Sequence, residues 1–170
     1  MGSKMPDLAW WLQNFERSAF RLETLPEYNV PQEVEMLAAF RRGEEVCLPN
    51  DHAWLQRVGQ HTRAGKRMQR VRLISHPLSD YLRFELSMYP QCVEAGEDVR
   101  VADLGEHPEL LNSPDYWLFD DSTAIMLRYD GAGRFLDTDE TTDCTPYLRL
   151  RDLALSRSME LSEYTARTTR

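Results

Sequence analysis

Between Met68 and Tyr89 the apolar residues change period. From Met68 to Ile74 they alternate with polar ones, Val71 and Leu73 on one side and Arg70 and Arg72 on the other, as the pleat of a strand requires. After His76-Pro77, Leu78, Tyr81, Leu82 and Tyr89 recur at helical spacing, and Pro90 is expected to close that helix. A segment that makes this switch has to lay a helix on a sheet, so the chain reads as a mixed fold.

The same grammar recurs on both sides. Phe20-Arg21-Leu22-Glu23-Thr24 alternates as a half-buried first strand. Pro31 opens a helix with Val34, Leu37, Ala38 and Arg41 along one side and Gly43 as its stop. Asn50 or Asp51 caps another over 52 to 64, with Trp54, Leu55 and Val58 as its stripe. Asp98 to Ala102 resumes strand alternation, and Tyr116 to Asp120, Thr123 to Tyr129 and Arg134 to Asp137 read as a meander that turns at Asp130-Gly131-Ala132-Gly133. Thr145-Pro146 starts a final helix that runs to about Met159. The expected fold is α/β with α+β character: one domain over 14 to 160, with a mixed sheet of about five to six strands, helices packed on it, and an antiparallel meander before the last helix. Residues 1 to 13 form an aromatic segment around Trp10-Trp11, and 161 to 170 are expected to fray.

Charge and cysteine usage narrow the partners. A formal net charge of −8 over 170 residues repels phosphate backbones, so no direct nucleic-acid role is expected. Cys47, Cys92 and Cys144 form no C-x-x-C pair, which argues against a disulfide framework or a zinc knuckle and for a reducing cytoplasm. No long apolar run suggests a membrane span. Phosphate loops, G-x-G-x-x-G, H-E-x-x-H, EF-hand and G-x-S-x-G patterns are all missing, so neither cofactor nor metal is expected.

What chemistry remains lies in two places. Arg70, Arg72, Arg100 and Arg128 all fall on the strand phase opposite the most apolar residues, so aligned phases would give one sheet face a row of arginines, with Asp120 near its end. At the strand-to-helix corner, His76, Asp80, Tyr81, Arg83 and Glu85 supply acid, base and cation within ten residues. Packing explains much of this corner: Asp80 and Arg83 are an i,i+3 pair, and Tyr81 belongs to the core stripe. Six cations between Arg57 and Arg72, with no carboxylate among them, add a local basic patch or a solvated helix end.

Four blocks carry a resemblance: Phe15-Glu16-Arg17-Ser18-Ala19-Phe20-Arg21-Leu22-Glu23, Leu78-Ser79-Asp80-Tyr81-Leu82-Arg83-Phe84-Glu85, Glu94-Ala95-Gly96-Glu97-Asp98-Val99-Arg100 and Tyr116-Trp117-Leu118-Phe119-Asp120-Asp121. Over residues 14 to 155 the chain resembles a family of small actinobacterial proteins of unknown function, often encoded beside helix-turn-helix regulators. That resemblance implies a regulatory-partner role by association. The order of elements also looks distantly like the phospholipase D fold used as a non-catalytic effector domain. Enzymes of that fold need H-x-K-x(4)-D, and none of the four histidines here has lysine two residues on.

Two functions are therefore expected. One is a non-enzymatic accessory protein that binds a protein partner, such as a DNA-binding regulator, through the arginine-bearing face or Trp10-Trp11. The other is a small-molecule enzyme or ligand sensor that grips an anionic metabolite with Arg70, Arg72, Tyr81, Arg83, Arg100 and Asp120, with His76, Asp80 or Glu85 moving a proton. A toxin–antitoxin component is a third expectation.

Overall fold

The computed structural model describes residues 7–169. Along the chain come α1 (Leu8–Asn14), β1 (Ser18–Glu23), α2 (Val34–Arg41), α3 (Ala53–Arg63), β2 (Arg67–Ile74), α4 (Asp80–Ala95), β3 (Asp98–Asp103), β4 (Tyr116–Phe119), β5 (Thr123–Tyr129), β6 (Phe135–Thr141), α5 (Thr145–Arg157), β7 (Met159–Glu160) and α6 (Leu161–Thr168). Among the described residues seven strands form one mixed sheet in the order β6-β5-β4-β1-β2-β3-β7, one or two more than the alternation indicates. The extra strand is β7, whose two residues pair antiparallel with Arg100 and Val101, too short a run to leave a period.

β1, β2 and β3 run parallel, and β4 pairs antiparallel with the other side of β1. Five of the six β1 residues are buried, not the half expected of an amphipathic strand. The reason is position: β1 is central and both sheet faces are covered. On one face Phe20, Leu22, Val71, Leu73, Tyr116 and Leu118 pack with α5 through Ala154. On the other, Phe15, Ala19, Met68, Phe119 and Ile125 meet α1 and α3, while Val99 and Val101 meet α4 and α6 through Tyr89, Cys92, Leu161 and Tyr164.

Several boundaries move for local reasons. α4 starts at Asp80 because Ser79 Oγ accepts the Leu82 amide at 3.1 Å, and it runs through Pro90 to Ala95. An interior proline costs a helix about 3 kcal/mol. Here Tyr89 and Cys92 bury on Val99 and Val101, which offsets the loss, and Gly96 at φ 117 ends the helix. α3 is capped by His52, whose Nδ1 accepts the Trp54 amide at 3.2 Å, and not by Asn50 or Asp51. The segment expected to fray contains α6, held by buried Leu161 and Tyr164. No helix among the described residues is long and apolar enough to cross a membrane.

Candidate functional site

In-register pairing decides which side chains share a face. Arg21 lies opposite Arg70 and Glu23 opposite Arg72, so β1 and β2 send two arginines, a third arginine and a glutamate to the same side. Arg100, however, is paired with Val71 and therefore points the other way, where it meets Asp98 at 3.2 Å. Arg128 also lies on that opposite face, in an exposed pair with Asp137. The single arginine row expected from strand phase is thus split two and two. Its premise fails at β3, where Val99 and Val101 share the face of Arg70 and Arg72 because α4 and α6 cover that face with apolar side chains.

Arg70 and Arg72 instead join a buried network. Arg72 is fully buried; its Nε donates to Glu85 Oε2 at 2.7 Å, and Nη2 lies 2.6 Å from the same oxygen, an ionic contact off the line of a hydrogen bond. Arg70 pairs with Glu23 and, through Nε at 2.7 Å, with Glu97. Arg21 pairs with Asp115, which also accepts the Tyr28 hydroxyl. Each guanidinium has an aromatic face against it: Arg21 lies 5.6 Å from the Trp117 ring centre, Arg70 lies 5.5 Å from Trp54 and 5.3 Å from Tyr89, and Arg72 lies 5.1 Å from Tyr28.

This network floors a cleft of about 690 Å³. Arg21, Glu23, Arg70 and Glu85 form its polar base. Its walls are Tyr81 from α4, the segment from Tyr28 to Glu33, and Tyr129, Gly133 and Phe135 from the β5–β6 hairpin. Tyr28 sits edge-on to Tyr129 with centroids 5.1 Å apart, and the Tyr81 hydroxyl donates to Glu33 Oε2 at 2.6 Å. Gly133 is fixed here by its φ of 76 and by the Glu27 carbonyl, which would stand 2.6 Å from a Cβ; its own carbonyl accepts the Asn29 amide at 2.9 Å. The hairpin and the tyrosine segment are therefore latched together at the rim.

The carboxylates of the base are driven apart. Burial raises Glu85 to about 7 even beside Arg72, and the nearby Glu23 charge adds to the rise. Burial pushes Glu23 the same way, but Arg70, Arg72 and Arg21 outweigh it and hold the group near 2. Linkage fixes the signs. Glu85 binds a proton more tightly folded than unfolded, so its contribution weakens the fold as pH rises from about 4.5 to about 7. Glu23 stabilises above about 4.5, and that stability is lost as pH falls through about 2. The expected result is a thermal midpoint that declines between pH 5 and pH 8, with the decline flattened in Glu85→Gln. An equally steep decline in the variant would exclude Glu85 as its source.

The residues singled out by sequence divide cleanly. Arg70, Tyr81 and Glu85 line the cleft, and Arg72 lies buried beneath it, paired with Glu85. His76, Asp80 and Arg83 do not: His76 is half exposed at 3.3 Å from Asp103, and Asp80 and Arg83 form an exposed pair at 3.4 Å. Asp120, at the far end of β1, accepts the amides of Glu16, Arg17 and Ser18. Sequence reading missed Arg21, Glu23, Tyr28, Glu97, Asp115 and Tyr129. Arg21 and Glu23 carried a signal in the period of β1; Tyr28 and Asp115 lie in connecting segments and carried none.

Fold and cleft together define a single-domain α+β protein whose buried ion network opens to solvent at an aromatic-walled cleft. The family described as Domain of unknown function (DUF6879) matches residues 6–166, and the chain belongs to it. No curated protein matches.

Proposed function

We propose that this protein binds a small polar molecule in the cleft above Arg21, Glu23, Arg70 and Glu85, and acts as a ligand sensor. The observation that supports this most is the placement of the ion network. Buried ion pairs are often no more stabilising than apolar residues of the same volume, so stability alone does not explain charged groups at the base of a cavity. The cleft lies over the sheet face that β1 and β2 share through Arg21, Glu23 and Arg70. Concave sites with aromatic walls and a few convergent polar groups are the usual form of a small-molecule pocket.

A library of small metabolites of all charge types, read by thermal shift, tests the proposal. At least one compound is expected to raise the midpoint, and Phe135→Ala should weaken that compound about tenfold, because Phe135 is 54% exposed and lines the cleft without supporting the core. No stabilising compound, or one indifferent to Phe135, would remove the reading. The accessory role beside a helix-turn-helix regulator is a second reading, favoured by Trp10, Phe135 and Leu136, which stay exposed. It gains if the library is silent and a regulator co-purifies in a manner that depends on Trp10. Arg70 and Arg72 are engaged in the ion network, so this reading draws on the exposed apolar side chains and not on those two arginines.

A further inference from the structure

Resting on the cleft reading, we propose that the ligand is an organic ammonium ion, held by the carboxylates of Glu23, Glu33 and Glu85 between the rings of Tyr81, Tyr129 and Phe135. The sequence, read through its arginines, suggests an anion; the pairing pattern points to the opposite charge. Every arginine of the network is already matched: Arg21 by Asp115, Arg70 by Glu23 and Glu97, Arg72 by Glu85. Arg134 at the rim is matched too, by Asp130 at 2.8 Å. An incoming anion would have to displace a carboxylate from a buried guanidinium.

The carboxylates have capacity to spare. Glu23 receives Arg70 and the Tyr89 hydroxyl on Oε1, Glu85 receives Arg72 on Oε2, and Glu33 receives Tyr81 on Oε2. Among the described residues, no hydrogen bond reaches Glu23 Oε2, Glu85 Oε1 or Glu33 Oε1. Glu23 and Glu85 are each more than nine-tenths buried and both line the cleft, so their free oxygens are acceptors presented to the cavity. Five carboxylates, Glu23, Glu33, Glu85, Glu97 and Asp115, stand against three arginines, which leaves the site net negative in low-dielectric surroundings. The aromatic walls add ring faces and edges for the alkyl part and the charge of an ammonium group, and Tyr129 and Phe135 stand 6.0 Å apart.

Isothermal titration at pH 8 with putrescine, choline, glutarate and inorganic phosphate tests the sign of the ligand. Putrescine or choline should bind, and Glu33→Gln should weaken binding at least about tenfold, since it removes one charge at contact distance. Glu33 lies on a single turn at the rim, so the variant is expected to fold, and circular dichroism checks it. Putrescine ahead of choline assigns hydrogen bonding to the free oxygens; choline ahead assigns the rings. Binding of glutarate or phosphate alone overturns the ammonium assignment while the cleft reading survives. Silence from all four probes, with a neutral hit from the metabolite library, also overturns it and again leaves the cleft. Silence in both experiments removes both.

Discussion

Arg72→Met is expected to destabilise the protein by about 3–5 kcal/mol at pH 8, the cost of leaving a buried charge without its partner. For a chain of this size that is a fall in thermal midpoint of roughly 6–20 °C. Arg72 is fully buried and supplies the ionic contacts to Glu85, so removing it at pH 8 leaves Glu85 either charged without a partner or forced to take up a proton, and it withdraws from Glu23 one of its stabilising cations. The size of the loss should depend on pH. Glu85 sits near 7 with Arg72 present and rises further without it, so near pH 5 it is protonated and needs no counter-charge. The defect should therefore shrink in mild acid.

The double variant Arg72→Met/Glu85→Leu should regain most of the loss, because matched apolar side chains can replace a buried pair at little cost. Chemical denaturation of the four proteins at pH 8 and pH 5.5 closes the cycle. A single variant that loses less than about 1 kcal/mol at pH 8, or a double variant no better than the single, would show that the pair is not energetically coupled. Recovery of stability with loss of ligand binding is the outcome that separates what the network does for the cleft from what it does for the fold.

How far the sequence revealed this arrangement depends on which physical signal each part leaves. The strands and the main helices were legible because burial imposes a period, and β2 to α4 displays both periods in succession. The sharing of a face was legible within one strand and failed between strands. Arg70 and Arg72 are bound to one side by the pleat, but Arg100 is placed by the register of β3, which depends on the Asp98 start and on what α4 and α6 cover. The rule that polar alternation faces solvent also failed at β1: Arg21 and Glu23 are polar, alternate correctly, and are buried. A central strand covered on both faces turns such polar residues into interior charges, and their partners, Asp115 and Arg70, come from 94 and 47 residues away. The corner at 76 to 85 was half right for a helical reason. Tyr81 and Glu85 are one turn apart and face inward, whereas Asp80 and Arg83 occupy the solvent side of the same helix.

Asp120→Ala should cost about 2–4 kcal/mol, although the residue stands far from the cleft. Its carboxylate accepts three successive amides, from Glu16 at 2.8 Å, Arg17 at 2.6 Å and Ser18 at 3.0 Å, and so holds the entry to β1 against the end of β4. Charge-assisted bonds of this kind contribute roughly 1.5–3 kcal/mol each in isolation, and three that share one carboxylate contribute less than their sum. Conformation adds to the loss: Asp120 and Asp121 have φ of 53 and 58, a region that aspartate and asparagine tolerate better than alanine. Asp120→Asn should accordingly be intermediate, because it keeps the backbone preference and one acceptor oxygen. The amide bonds also hold Asp120 below the ordinary carboxylate range against the opposing effect of burial, so its stabilisation is present at neutral pH and is lost as acid protonates the group. Thermal denaturation in acid should thus show the wild type converging on Asp120→Asn as pH falls below about 4. Ligand binding measured on the folded fraction should be unchanged in both variants, since β1 joins this turn to the cleft only through its backbone. A binding defect that persists after correction for stability would place Asp120 in the site after all, as the arginine-row reading of the sequence had it.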